Sequence, residues 1–232
     1  MSLLGGTFKA FRRYRAGKGF GIHSPFAYAF VTNVIRLPKS YAYYAYHEID
    51  YWHQQVSILD TGHKTLPRKY LRLIFRVINH FNTRHILQIG TCDGLVALSA
   101  ASASSQGHVD LFDKKISRLT DSILQRSARK NQITLTPSLP QAVMNLDSIC
   151  ADGSRPIVII TDTQEPATIK QMVEQLRGRN PVYIVAILRN NPEVWELITS
   201  AHPTYGMSFA NPHIGIMVTE KSLPRQHFNL WI

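Results

Sequence analysis

The sequence predicts an α/β protein: a doubly wound, mainly parallel sheet with helices on both faces, preceded by a helical extension. Three observations predict it. From His85 onward, short apolar runs of strand character alternate five times with helix-period segments, the pattern of parallel strands joined by crossover helices. The first alternation holds a glycine turn between strand and helix, "HILQIGTCDGLVALSAA". The last two runs, "GMSFA" and "IGIMVTE", are separated only by "NPH"; that spacing fits a hairpin and makes the last strand antiparallel.

The elements follow in order. In "HSPFAYAFVTNVI", Ser24 stands where an N-cap belongs and Pro25 at the first helical position, where its missing N–H costs nothing. Phe26, Phe30 and Ile35 give a buried stripe. "YAYYAYHEIDYWHQQVSIL" is aromatic-rich and reads as a helix. "LPRKYLRLIFRVINHF" places Leu71, Ile74, Phe75 and Ile78 at i, i+3, i+4, i+7, an amphipathic helix. The strands are then "HILQIG", "HVDLFD", "ITLTP", "RPIVIITD" and "PVYIVAIL". The helices between and after them are "LVALSAASASS", "ISRLTDSILQRSARK", "PQAVMNLDSIC", "ATIKQMVEQLR" and "PEVWELITSA".

The bulk numbers are those of a globular chain: 232 residues, 44% apolar and 18% charged, enough to bury a core without staples. The longest apolar run, Val182 to Leu188, is far short of the ~20 residues of a membrane span. Cys92 and Cys150 show no metal or redox spacing, which fits a reducing cytoplasm. The net charge of +11 is uneven: residues 1–84 hold 13 Lys/Arg against 3 Asp/Glu, and residues 85–232 hold 13 against 12. The chain therefore divides into a basic helical extension, 1–84, and a core, 85–232. The basic third reads first as a solvated surface, and as an alternative it fits an anionic partner (nucleic acid, an acidic protein or an anionic membrane). Its run "FKAFRRYRAGKGF" interleaves aromatics with cations, a composition suited to stacking on bases and just as well to a loosely ordered arm.

The glycine turn is the candidate site. A doubly wound sheet binds its ligand beyond the carboxyl ends of its strands, where strand order reverses. Gly90 follows the first strand and Gly94 opens the first helix; glycine permits the sharp turn and a close backbone approach. The pattern is not G-x-G-x-x-G, so the dinucleotide fingerprint is missing. Asp113 ends the next strand, about 20 residues on, where a carboxylate can accept from ribose hydroxyls or serve as a helix cap.

These residues resemble motif I and its acidic successor in class I S-adenosylmethionine-dependent methyltransferases, especially the catechol O-methyltransferase-like branch. "GFGIHSPFAYAFVTNVI", "YYAYHEID", "KYLRLIFRVINHF" and "QHFNLWI" extend the likeness to bacterial, cytoplasmic methyltransferase-like proteins with an HSPF segment. The resemblance implies a Rossmann-like, seven-stranded sheet with a reversed last strand. It implies that Gly90, Thr91 and Gly94 approach the methionine part of the cofactor and that Asp113 takes the ribose. Asp162 then lies near the methyl-transfer point as the catalytic candidate. Gln88 stands where relatives carry Glu or Asp, so it holds the cofactor's cationic end without a charge. Metal-dependent relatives end the fifth strand in an acidic pair; here Arg189 and Asn190 stand there. A cation opposes Mg²⁺ binding, so no metal is expected. General-base candidates are Asp162, His23 and His213, in that order, although His23, just before a helix cap, reads first as a structural histidine and His213, in the last hairpin, as a turn residue; Tyr43, Tyr44, Tyr46 and Trp52 are either pocket walls or core. The expected function is metal-independent methyl transfer to an unidentified acceptor. The alternative is a catalytically inactive methyltransferase-fold binding or scaffold protein.

Overall fold

The computed structural model describes residues 23–37, 43–58, 65–150, 154–161 and 166–230; the run "FKAFRRYRAGKGF" and Asp162 lie outside them. Helix α1 (Pro25–Phe30) starts as expected, Ser24 accepting a hydrogen bond from the Ala27 N–H at 3.3 Å. It continues into a π-helical turn, Val31–Ile35. Helices α2 (Tyr46–Ile58) and α3 (Arg68–Phe81) follow. The α3 stripe of Leu71, Ile74, Phe75 and Ile78 is buried, widened by Tyr70, Leu73 and Val77. Each such residue contributes roughly 1.5–3 kcal/mol by leaving water. Arg76, on another face of α3, donates to the carbonyls of Val34 (2.6 Å) and Ile35 (3.0 Å) and so closes the end of the π-turn.

The sheet elements are β1 (His85–Ile89), α4 (Leu95–Ala101), β2 (His108–Phe112), α5 (Arg118–Arg126), β3 (Ile133–Thr136), α6 (Leu139–Ile149) and β4 (Ile157–Ile160). They continue as α7 (Pro166–Leu176), β5 (Val182–Ala186), α8 (Pro192–Ser200), β6 (Met207–Ala210), β7 (Ile214–Val218) and β8 (Gln226–Asn229). Strand order is β3-β2-β1-β4-β5-β7-β6-β8. Neighbours from β3 to β5 are parallel, and β7 runs antiparallel to both β5 and β6, as the hairpin requires. The seven expected strands are all present, and an eighth joins them: β8 pairs with β6 in parallel. Its four residues follow a turn and carry too little pattern to be read as a strand.

Two apolar layers sandwich the sheet. One joins α1–α5 to Ile86, Val109 and Ile157; the other joins α6, α7 and α8 to Leu87, Val158 and Tyr183. The first layer is continuous from the N-terminal helices into the strands. Among the described residues no helix is long and apolar enough to cross a membrane. One boundary differs from expectation in a telling way. The fifth strand stops at Ala186, not Leu188, because Ile187 adopts a left-handed conformation at φ 54°. A β-branched residue seldom adopts that conformation.

Candidate functional site

Strand order reverses between β1 and β4, so the crevice at the carboxyl ends of these strands is where a ligand is expected. The turn after β1 passes through two glycines in the left-handed region, where other residues are disfavoured. Gly90 (φ 83°) donates to the Phe112 carbonyl at 2.8 Å, extending the β1–β2 ladder by one rung. Gly94 (φ 81°) donates to the Thr91 carbonyl at 2.8 Å. Between them Cys92 is also left-handed, at φ 46°.

Asp113 points at this turn. Its Oδ2 accepts from the Thr91 N–H (2.8 Å) and the Thr91 hydroxyl (2.6 Å), and its Oδ1 accepts from the Lys115 N–H (3.1 Å). Gln88 is fully buried. Its Nε2 donates to the Gly90 carbonyl at 2.8 Å, while its Oε1 has no hydrogen-bond partner. Gln88, Gly90, Thr91 and Asp113 thus form one connected unit. Gly94 faces a different way. A Cβ there would lie 3.3 Å from Thr120 Cγ2 and 3.6 Å from Leu124 Cδ2, so this glycine lets α5 close on the turn. Thr120 secures the contact by donating its hydroxyl to the Cys92 carbonyl at 3.0 Å.

Asp93 belongs to the same turn and escaped the sequence reading. It is 2% exposed and accepts from the Leu95 N–H at 3.0 Å, capping α4. Burial raises its pKa, opposed by the Leu95 N–H, the Thr65 hydroxyl and the His53 charge. An Asp two residues before a helix is the only sequence signal for this role. Asn191 was missed as well. Its Nδ2 lies 3.3 Å from the Ala186 carbonyl and 3.4 Å from the Thr161 carbonyl, bridging the ends of β5 and β4. Thr161 in turn ties β4 to β1, its N–H donating to the Ile89 carbonyl at 2.9 Å.

The proposed general bases separate. Asp162 lies outside the described residues. His23 is removed by its position: its neighbour Ser24 touches Met207 Sδ at 3.8 Å, and Met207 pairs with Val218, which faces Val182 at the start of β5. That is the amino edge of the sheet, opposite the site. His213 lies in the β6–β7 turn on the carboxyl edge. It stacks on Tyr70 with centroids 5.2 Å apart. Burial lowers its pKa first, then the charges of Arg189 and Lys69. Of the aromatics, Tyr43 and Tyr46 pack on Phe75 as core, Trp52 meets Tyr51 edge-on, and Tyr44 is 91% exposed.

This architecture, a doubly wound sheet with a reversed seventh strand, is a Rossmann-like fold similar to that of solved O-methyltransferases. Three solved structures carry the likeness. A candidate caffeoyl-CoA O-methyltransferase from Staphylococcus aureus superposes with a TM-score of 0.55 at 16% identity, covering 74% of this chain and 92% of its own. An O-methyltransferase from Bacillus cereus in complex with SAH gives 0.50 at 16% identity, covering 79% and 94%. The O-methyltransferase TomG from Streptomyces achromogenes, in complex with SAM, gives 0.50 at 13% identity, covering 77% and 91%. No family model matches the chain, and no curated protein matches it in sequence.

Proposed function

We propose that the chain binds S-adenosylmethionine at the β1 turn and transfers its methyl group to an acceptor without a metal. The observation that carries this reading is the convergence of two acceptor side chains on one glycine turn. Gln88 Oε1 is buried and unsatisfied, and such a group costs about 1–3 kcal/mol until a donor reaches it. Asp113 Oδ1 accepts a single hydrogen bond and retains capacity for another. Both are acceptors, and the amino group and ribose hydroxyls of the cofactor are donors, so the residues present fit the group. Bound there, the cofactor supplies an electrophilic methyl on a sulfonium. The chain's part is to hold that group, to align an acceptor and to take the acceptor's proton, the role we assign to Asp162. Arg189 at the end of β5 disfavours a divalent cation, and this supports metal independence.

Isothermal titration with S-adenosylhomocysteine tests the reading. Saturable binding is expected, with Asp113→Ala weakening it at least about tenfold, the worth of one charge-assisted hydrogen bond. No heat at millimolar ligand overturns it. Thr91 favours a second reading. Its amide and hydroxyl already fill Asp113 Oδ2, and a turn closed on its own acid suits a fold kept as an inactive binding or scaffold module. The same titration decides between them.

A further inference from the structure

Cations crowd the segment between β2 and β3. Lys114, Lys115, Arg118, Arg126, Arg129 and Lys130 stand there against a single acid, Asp121. Arg129 is framework: its guanidinium pairs with Glu48 at 3.2 Å and donates to Gln132 Oε1 at 3.1 Å. Lys115, Arg118, Arg126 and Lys130 are exposed and make no ion pair among the described residues. The helix sets their places. Thr120, Ile123 and Leu124 form the buried face of α5, and Ser127 continues it. Arg118, Ser122 and Arg126 follow at i, i+4 and i+8 along the outward face. Lys115 precedes the N-cap Ser117, and Lys130 opens the short helical turn Lys130–Gln132 beyond the far end. The cations thus run the length of the helix, with about 12 Å between the backbone positions of Arg118 and Arg126.

The ridge is held rigidly, and its charge is placed against stability. The Ser117 hydroxyl accepts from the Thr120 N–H at 3.0 Å, and Thr120 fastens the helix to the β1 turn through the Cys92 carbonyl. Lys115 and Arg118 therefore lie at a fixed helix N-terminus, where free N–H groups and the dipole favour anions over cations. Asp121 is the acid of that turn. An external anion relieves this placement. The composition of the face says which anion. No aromatic residue occurs from Asp113 to Pro140, so unpaired bases find nothing to stack on. None of the exposed large hydrophobic side chains lies between Lys114 and Lys130. A lipid surface asks for apolar groups to insert, and a protein partner for an apolar centre. A helix whose outward side chains are cations and hydrogen-bonders, Ser122 and Gln125 among them, instead fits the phosphates beside a duplex major groove, which is wide enough to admit it.

We propose that the outward face of α5, with Lys115 and Lys130 at its ends, is a docking surface for duplex DNA, which it holds by the phosphates and without choice of sequence. The stretch from Arg118 to Arg126 spans roughly three phosphates of one strand. Arginine offers a bidentate fork to a phosphate and lysine a movable point charge. This surface is separate from the basic first third of the chain. It does not rest on the methyl-transfer reading, although it begins beside Asp113, whose Oδ1 accepts from the Lys115 N–H.

The experiment is fluorescence anisotropy of the full chain, without cofactor, on a short labelled DNA duplex from roughly 50 to 200 mM salt. Four phosphate contacts give a slope of log affinity against log salt near about −3.6. Arg118→Gln, Arg126→Gln and Lys130→Gln combined should flatten it by about 2.7, with an unchanged urea midpoint because all three side chains are exposed. If that midpoint falls, Arg126→Gln alone carries the test, with a flattening of about 0.9. Lys170→Gln, an exposed cation on α7 in the other layer, should leave the slope unchanged. No binding by the parent chain, a slope that the triple variant keeps, or an effect of Lys170→Gln as large as that of Arg126→Gln overturns the proposal. Phosphatidylserine–phosphatidylcholine vesicles, polyglutamate and single-stranded DNA are the other arms. A triple variant that loses more affinity for any of these than for the duplex overturns it as well. The homocysteine titration above is independent: its failure leaves DNA docking standing, and failure here leaves the cofactor site untouched.

Discussion

Thr91 shows how closely the candidate site is coupled to stability. Its hydroxyl hydrogen bond to Asp113 crosses from the β1 turn to the end of β2 at 2.6 Å. Thr91→Val keeps the shape and removes that bond, and it should lower the unfolding free energy by about 1–2 kcal/mol in urea denaturation. An unchanged midpoint would mean the clasp is not formed in solution. At this scale the sequence was partly legible. Gly90 and Asp113 could be picked out by position, a glycine after a strand and an acid at the next strand end, although each also has an ordinary structural use as a turn or a cap. Asp93, Asn191 and Thr120 do not, because their partners are backbone groups that only the folded chain brings near. His23 sits at the amino edge, in keeping with the structural role its place before a helix cap suggested; spacing alone does not tell one edge of a sheet from the other.

Among the elements, α8 and β7 are joined through a missing side chain. A Cβ on Gly215 would fall 2.7–2.9 Å from three ring carbons of Trp195. Gly215→Ala must therefore push the indole out of its seat against the sheet. The expected cost is about 1–3 kcal/mol, read as a lower urea midpoint with altered tryptophan fluorescence; a silent substitution would show that the ring has room to move. The helix-period stripe of α3 and the alternation from His85 onward were readable because burial repeats at a fixed period. The early end of β5 was not, since Ile187 is a strong strand former turned left-handed by its surroundings. Four residues of β8 offered no period to read.

For the molecule as a whole, acid sensitivity follows from His202. This residue is fully buried, with Nδ1 3.2 Å from the Tyr205 hydroxyl and Nε2 without a partner. Burial first, then Arg177 and Arg225, lower its pKa to about 4. The unfolded chain binds that proton near pH 6.5. Above that value the group is neutral in both states and no stability is lost. As pH falls from about 6.5 to 4 the unfolded state gains a proton the native state refuses, and roughly 3 kcal/mol of stability is lost. His202→Gln should flatten urea midpoints over this window; a slope as steep as that of the parent would assign the proton elsewhere. The basic first third was visible as a sum in the sequence, but its partners were not. Arg72 is paired with Asp50 and Arg76 holds carbonyls, so part of that charge is internal framework. Beyond both sides of the sheet lie short margins, β3 and β8, of four residues each. Pro224 and Arg225 stand immediately before β8. A stubby rim guarded by proline and a cation is a poor template for another chain's strand, so concentrated solutions should resist edge-to-edge aggregation.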